Sequence, residues 1–227
     1  MKRIKTAVSI SGVFTIFILL LSACATTPTP YVAPRVYYHV SVDSIADAGA
    51  ELNGKTYLLT SAMKNVSDND LQFKEFARHI ETALSLSQKG YKRADNKEEA
   101  DLLIRLAYGI GNPKTETSTN TYTTSSGYSY PVGWTWINVP PTTKTVTTSN
   151  TTYARFLILE AYDIKDHSQL WKTTLKSEGS VGDLRIVLPH MVVAGRDYFG
   201  INTGKKLVIK VESEGSGVMQ IRNGPTN

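Results

Sequence analysis

The sequence has almost no cysteine, since Cys24 is the only one among 227 residues. One cysteine cannot form an internal disulfide, and it excludes a zinc site built from several thiolates. Its sulfur must therefore be free, joined to another chain or modified. The 4 histidines do not have the spacing to Asp or Glu that a metal site on one helix or hairpin needs. The sequence predicts no metal and no other cofactor.

Charge is also scarce: charged residues make up 20% of the chain, and the formal net charge is +5. Lys2, Arg3 and Lys5 supply three of the positive charges, so a chain that has lost its first residues has a net charge of +2. No dense stripe of lysine and arginine follows, although nucleic-acid-binding domains usually carry one. We therefore do not predict a nucleic-acid partner.

The first apolar run is too short for a transmembrane helix, which needs about 20 apolar residues. It peaks between Val13 and Leu21, after a basic segment and before a group of small residues. This order is typical of a secretory signal peptide. The alternative is an uncleaved anchor in which the following cysteine is buried incidentally.

Leu21 to Cys24 read LSAC and resemble the lipobox of bacterial lipoproteins. The resemblance implies a signal peptide over residues 1–23, cleavage before the cysteine, and a diacylglycerol thioether on Cys24. Acyl chains there would hold the protein on a membrane, because each buried methylene contributes about 0.8 kcal/mol. Residues 24–35 follow as a Pro- and Thr-rich tether, which is expected to be short and extended.

Ala25 occupies the position where an Asp commonly keeps Gram-negative lipoproteins in the inner membrane. The lipobox resemblance therefore implies the outer membrane, with the protein facing the periplasm.

Residues 36–214 are predicted to form one α/β domain, and residues 215–227 a loose tail. Six apolar or alternating segments predict strands, and two segments with helical periodicity predict helices, in the order β-β-α-β-β-β-α-β. This order favours an α+β two-layer sandwich, a mostly antiparallel sheet with two helices on one face. The continuous run Phe156 to Leu159 predicts a strand covered on both faces.

The first helix is predicted between Asn69 and Gly90. Asn69 and Gln72 resemble a capping box, and His79 falls on the polar face. The second helix, within residues 183–200, contains Pro189, which either kinks it or marks its first turn. The apolar residues that recur on one face of the first helix are Phe73, Phe76, Ala77, Ile80, Ala83 and Leu84.

The domain contains four short motifs: Lys89-Gly90-Tyr91, Ala100-Asp101-Leu102, Asp163 after an apolar strand, and Trp171 at the start of the next strand. Together these motifs resemble the bacterial lipoprotein family known as domain of unknown function 4136. The resemblance covers about residues 36–214. It implies an envelope location and an α/β domain, and it supplies no catalytic residues. Asp163 is expected near a turn and Trp171 buried in the sheet.

An insertion over residues 112–152 interrupts the domain. Half of the residues from Thr115 to Thr152 are Ser or Thr, and only Glu116 and Lys144 are charged. Threonine falls at every second position, which favours a two-stranded ribbon, whereas the low apolar content favours a flexible loop. Both remain open from the sequence. The aromatic and apolar residues at the centre of this insertion are Tyr128, Tyr130, Trp134, Trp136 and Ile137.

Tyr128, Tyr130, Trp134 and Trp136 are therefore a candidate contact surface. Such rings can stack on sugars, lie in a lipid headgroup layer or anchor a protein partner. The alternative is that they pack back onto the open face of the domain's own sheet.

The sequence thus favours a non-catalytic envelope lipoprotein, held on a membrane through Cys24, that binds an envelope protein or peptidoglycan. A self-assembling structural protein is an alternative, because exposed strand edges can pair between copies. A periplasmic hydrolase is another alternative, and it would need a cleft with His39, His167 or His190 beside a carboxylate.

The segment Asp166-His167-Ser168 is expected to be a polar turn, because three adjacent residues rarely aim at one another as a triad. The oligomeric state is left open.

Overall fold

The structure, a computed structural model, describes residues 35–224. This part of the chain contains ten strands and three α-helices. The strands are β1 (Tyr37–Ala46), β2 (Thr56–Ser61), β3 (Lys92–Arg93), β4 (Leu102–Ile110), β5 (Lys114–Ser125), β6 (Tyr128–Val132), β7 (Thr135–Val139), β8 (Thr142–Asp163), β9 (Gln169–Gly179) and β10 (Leu207–Glu212). The helices are α1 (Leu71–Leu86), α2 (Leu184–Gly195) and α3 (Ser216–Asn223).

The main sheet has the strand order β10-β1-β9-β8-β4-β2-β3. Its pairings are antiparallel, except that β2 runs parallel to β3 and β4. The α+β architecture with a mostly antiparallel sheet is confirmed. The six strands predicted from sequence are β1, β2, β4, β8, β9 and β10, and the short β3 and the strands of the insertion are additional.

Helical periodicity in α1 places its apolar stripe in the core, where Phe76, Ile80 and Leu84 are fully buried. The predicted cap residue is wrong by one position. Asp70 is the N-cap, and its Oδ1 accepts hydrogen bonds from the backbone N–H groups of Gln72 at 2.9 Å and Phe73 at 3.0 Å. A carboxylate there satisfies two N–H groups of the first turn that have no partner within the helix.

The prediction that Phe156 to Leu159 are covered on both faces is wrong. Leu157 and Leu159 are buried in the core, whereas Phe156 and Ile158 are only half-buried. The partial cover of Phe156 comes from its own sheet, because its ring lies over Gly109, where an added Cβ would come within 2.7 Å of the ring. The apolar run therefore reflects close packing between neighbouring strands and not a second helical layer.

A helix occupies the region predicted to be a loose tail. In α3, Val218 and Ile221 lie three residues apart on one face, and both are buried. His79 of α1, predicted on a polar face, is also buried, and its Nδ1 lies 3.0 Å from the carbonyl oxygen of Ile221 in α3. Docking of α3 against the core explains why the tail is ordered and why His79 is buried. The domain therefore has three α-helices in its described part, where two were predicted.

Pro189 lies within α2 and not in its first turn, since the helix begins at Leu184 behind the N-cap Asp183. The ring is buried with the apolar side of the helix. Since proline has no N–H, the carbonyl of Arg185 lacks its usual partner four residues later.

Candidate functional site

The insertion forms an ordered ribbon that extends from the sheet. β8 has 22 residues, and its first half pairs with β5 while its second half lies between β4 and β9 in the main sheet. The structure therefore has the ribbon and not the flexible loop. We call residues 114–125 and 142–152 the stem, and the β6–β7 hairpin at its far end (residues 126–141) the aromatic tip.

Cross-strand hydroxyl pairs explain the regular spacing of threonine in the stem. Residues that lie opposite each other on one face of an antiparallel pair interact directly, and Thr–Thr and Thr–Ser pairs can share hydrogen bonds. The pairs are Thr115–Thr151 at 2.9 Å, Thr117–Ser149 at 3.2 Å, Thr119–Thr147 at 3.3 Å and Thr121–Thr145 at 2.9 Å. The alternation therefore supports the ribbon itself, and it fixes the register that carries the tip.

The aromatic tip is a tight hairpin. Val132 pairs with Thr135, so Gly133 and Trp134 form a two-residue loop. Gly133 has φ of 60°, and a positive φ at the first central position is typical of a type II′ turn, where glycine is favoured. This turn places the Trp134 side chain at the apex of the ribbon.

The side chains of the tip are exposed and do not pack on the domain. Trp134 is fully exposed, and Trp136 is 67% exposed, whereas Trp171 in the sheet is only 2% exposed. Tyr128 and Tyr130 are also exposed, with ring centroids 6.1 Å apart. The alternative in which these rings cover the open face of the sheet is therefore wrong.

Apolar groups are found on every side of the tip. Residues directly opposite in an antiparallel pair share a face. Tyr128 faces Val139 and Tyr130 faces Ile137 on one side, and Pro131 faces Trp136 on the other. A single flat partner could cover only one of these faces.

The tip carries no charged side chain at neutral pH. Between Glu116 and Lys144 the sequence contains no Asp, Glu, Lys, Arg or His. In the stem, Lys114 and Glu116 form an exposed ion pair at 2.8 Å near the base, and Lys144 lies opposite Tyr122 near the tip. The chemistry that the tip offers is therefore aromatic faces, indole N–H groups and phenol hydroxyls.

The histidines considered for a hydrolase are not brought together. His39 is exposed on β1, and His167 is exposed in the β8–β9 turn with φ of 62°. His190 is buried on α2, where its ring stacks on Tyr38 at 4.0 Å and its nitrogens lie 2.9 and 3.1 Å from two backbone carbonyl oxygens. Within residues 35–224, no three His, Cys, Asp or Glu side chains are grouped to hold a metal ion.

The family motifs have structural roles. The Oδ1 of Asp163 accepts a hydrogen bond from the backbone N–H of Lys165 at 2.7 Å in the β8–β9 turn. Trp171 is buried, and its ring stacks with Phe199 at 6.2 Å and lies 6.0 Å from Tyr91. Both residues are placed as the sequence predicted. Cys24, the predicted lipidation site, lies outside the described residues.

The buried His190 and His79 are expected to make the protein less stable in acid. Burial is the main cause that lowers the pKa of each imidazole below its ordinary value of 6.5, and the nearby Arg222 acts in the same direction. In the unfolded chain the imidazoles regain the ordinary pKa, so the unfolded state binds more protons between the two values. The free energy of unfolding is therefore expected to be highest above about pH 6.5 and to fall as the pH decreases from there.

Urea unfolding measured at several pH values between about 7.5 and 5 checks this expectation. His190→Phe, which keeps a ring against Tyr38, should make the slope of stability against pH shallower. His39→Gln, at an exposed position, is the control and should keep the wild-type slope. An unchanged slope in His190→Phe would show that His190 does not contribute to acid sensitivity.

Comparison with known proteins gives one family match. The family model described as Domain of unknown function (DUF4136) matches residues 40–193. No curated protein matches the sequence.

Solved structures match the chain at low identity. A PDZ domain protein from Parabacteroides distasonis ATCC 8503 is 16% identical, with a TM-score of 0.43, and the match covers 78% of this chain and 39% of that one. The PelC dodecamer from Paraburkholderia phytofirmans is 10% identical, with a TM-score of 0.39, and the match covers 72% of this chain and 99% of that one. The chain thus spans well under half of the first of these proteins.

Proposed function

The chain belongs to the DUF4136 family, and from this premise we propose that it is a non-catalytic, lipid-anchored envelope lipoprotein that uses its aromatic tip to bind an envelope component. The observation that carries the proposal is the exposure of Trp134 and Trp136 at the end of an ordered ribbon. Leaving two indoles in water forgoes the free energy of apolar burial and invites association. A binding partner would recover that free energy by covering the rings.

The anchor in this proposal is Cys24, within the lipobox-like sequence that ends the apolar N-terminal segment. Ala25 favours the outer membrane, with the folded domain facing the periplasm. Among residues 35–224, no helix combines the length and the apolar character needed to cross a bilayer. An acylated cysteine would supply membrane attachment without such a helix.

We propose a non-catalytic role because of the side chains that the aromatic tip exposes. The most prominent surface feature consists of aromatic and hydroxyl side chains, whereas general acid–base catalysis needs a positioned group that can take up or release a proton. His39 and His167 stand on the surface in separate elements, and His190 faces backbone carbonyls. A protein that binds through the tip needs none of these three.

Cys24→Ser is expected to abolish lipid attachment, because serine has no thiol to form the thioether. Cells that express this variant should accumulate uncleaved precursor or a form that takes up no labelled palmitate. The measurement is palmitate labelling followed by separation of membrane and soluble fractions. Incorporation of palmitate into Cys24→Ser at the wild-type level would refute the anchor.

Self-assembly is a second candidate function, and the edges of the stem favour it. Within the described residues β5 pairs only with β8, and β9 reaches no further along β8 than Tyr153. Both edges of the stem therefore present free N–H and C=O groups, which can pair with a strand from another copy. Sedimentation over a range of protein concentrations tests this, and a larger species that disappears when residues 114–152 are deleted would support it.

A further inference from the structure

The distribution of apolar groups over the tip indicates the shape of what covers it. Tyr130 and Ile137 lie on one face, Trp136 lies on the other, and Trp134 extends from the apex. A flat protein surface or a single sugar ring covers one face of a hairpin. A medium that surrounds the end of the ribbon covers both faces and the apex together.

The lack of charge in the tip also favours a membrane interface as the medium that surrounds it. Glu116 and Lys144 are the charged residues nearest to the tip in sequence, and both lie in the stem. Tryptophan and tyrosine are the residues enriched where membranes meet water, because the ring is apolar and the N–H or O–H remains hydrated. A charged side chain at that depth would add a desolvation cost, and the tip has none.

The backbone limits how deep the tip can go. β6 and β7 pair only with each other in the described structure, so their outer edges have free N–H and C=O groups. Such groups are not tolerated in the hydrocarbon core of a bilayer. At about 3.3 Å per strand residue, an apex immersed by about 5–10 Å covers two to three residues on each strand. This depth submerges Trp134 and reaches Trp136.

The start of the domain lies at the same end of the sheet as the base of the ribbon. The β1 residue Val40 pairs with Ser177, and further along β9 Gly179 pairs with Tyr153 at the base of the stem. Arg35, where the described chain begins, is held at this end by an ion pair with Glu212 at 3.3 Å. Arg35, to which the tether is joined, therefore lies at the end from which the ribbon extends.

Ten residues lie between Cys24 and Arg35, so the eleven steps from one to the other can span at most about 40 Å, at ~3.6 Å per residue. The twelve residues of β5 cover about 40 Å at ~3.3 Å per residue, and the tip lies beyond them. From Lys114 to Trp134 the ribbon covers roughly 65 Å at ~3.3 Å per residue. Since the tether is shorter, the ribbon must lie tilted to the surface for the tip and Cys24 to reach one bilayer.

We infer that the aromatic tip inserts into the headgroup interface of the bilayer that holds Cys24, with Trp134 deepest. This inference rests on the proposed function for the identity of the membrane. It gives the domain a second membrane attachment besides the lipid and fixes its orientation on the surface. The stem then acts as a spacer between the sheet and the bilayer.

Tryptophan fluorescence of the full chain in vesicles tests the inference. The lipidated protein is reconstituted into phosphatidylethanolamine–phosphatidylglycerol vesicles in which part of the lipid carries bromine either near the glycerol or deep in the acyl chain. Only three tryptophans are present, and Trp171 is buried, so quenching reports the tip. Trp134→Phe with Trp136→Phe leaves Trp171 alone and serves as the control.

Shallow bromine is expected to remove much of the wild-type emission, deep bromine less, and neither should affect the double variant. Trp134→Phe should lose more of the quenching than Trp136→Phe, because Trp134 is at the apex. Emission that is insensitive to bromine but quenched by aqueous iodide would overturn the inference. Shielding from both quenchers that grows with protein concentration would also overturn it, and would identify a second copy as the cover.

Failure of the anchor can be told apart from failure of the tip. The full-length Cys24→Ser chain is added to preformed brominated vesicles, while palmitate labelling of wild type is measured in cells. Quenching in the vesicles without palmitate labelling of wild type would retain the tip and refute the anchor. Labelling of wild type without bromine quenching would retain the anchor and refute insertion of the tip.

Discussion

Phe76→Ala is expected to lower the free energy of unfolding by about 3–5 kcal/mol, because it removes a large ring from a fully buried site and leaves a cavity. The ring packs edge-to-face against Tyr108, with centroids 4.7 Å apart and an interplanar angle of 85°. Aromatic pairs of this geometry add stabilisation beyond the area that they bury. A loss of this size is a large part of the stability of an ordinary domain.

Ile80→Ala, one turn further along α1, should cost about 2–5 kcal/mol for the same reason. Leu71→Ala at the first position of the helix is the matched control, since Leu71 is 83% exposed and should change stability little. Urea unfolding followed by circular dichroism measures all three variants. Near-wild-type midpoints for both Phe76→Ala and Ile80→Ala would mean that the buried face of α1 is misassigned.

Trp134→Ala combined with Trp136→Ala is expected to abolish attachment through the tip while leaving the fold intact. Both rings are exposed, so their removal should change the free energy of unfolding by no more than about 1 kcal/mol, as at other surface sites. The loss of function should be large, because these two rings supply most of the apolar area at the apex.

The matched control is Trp171→Ala, which removes the same side chain from the core beside Tyr91 and Phe199. It should cost about 3–5 kcal/mol. Unfolding of each variant, and binding of the tip variant to vesicles in the Cys24→Ser background that lacks the lipid, provide the two readouts. A core-like drop in stability for the tip variant would show that the rings serve the fold and would refute a contact role.

Elements with a strong internal period could be predicted from the sequence alone. The apolar stripe of α1 and the alternation of Leu102, Ile104 and Leu106 in β4 both have the burial that the sequence indicates. In these segments the local periodicity and the tertiary packing bury the same residues, so the sequence alone is enough to predict which side chains are buried. The sequence does not decide between a ribbon and a loop over residues 112–152, because threonine alternation indicates strand propensity but not whether a partner strand pairs in register.

Features that depend on contacts between distant segments could not be predicted. The helix α3 is short, and what secures it is burial of Val218 and Ile221 in a core built mostly by other elements. His79 is buried because α3 covers it. The exposure of Trp134 follows from the turn at Gly133, and the sequence allowed packing on the sheet equally well.

The contact role of the aromatic tip is tested most directly by photocrosslinking in living cells. A photoreactive amino acid is placed at position 134 of the otherwise wild-type chain, and at position 148 in the stem as a control; both positions are exposed. Position 134 is expected to form adducts with lipid, and position 148 is not. Equal or absent labelling at both positions in correctly localised protein would contradict the contact role of the aromatic tip.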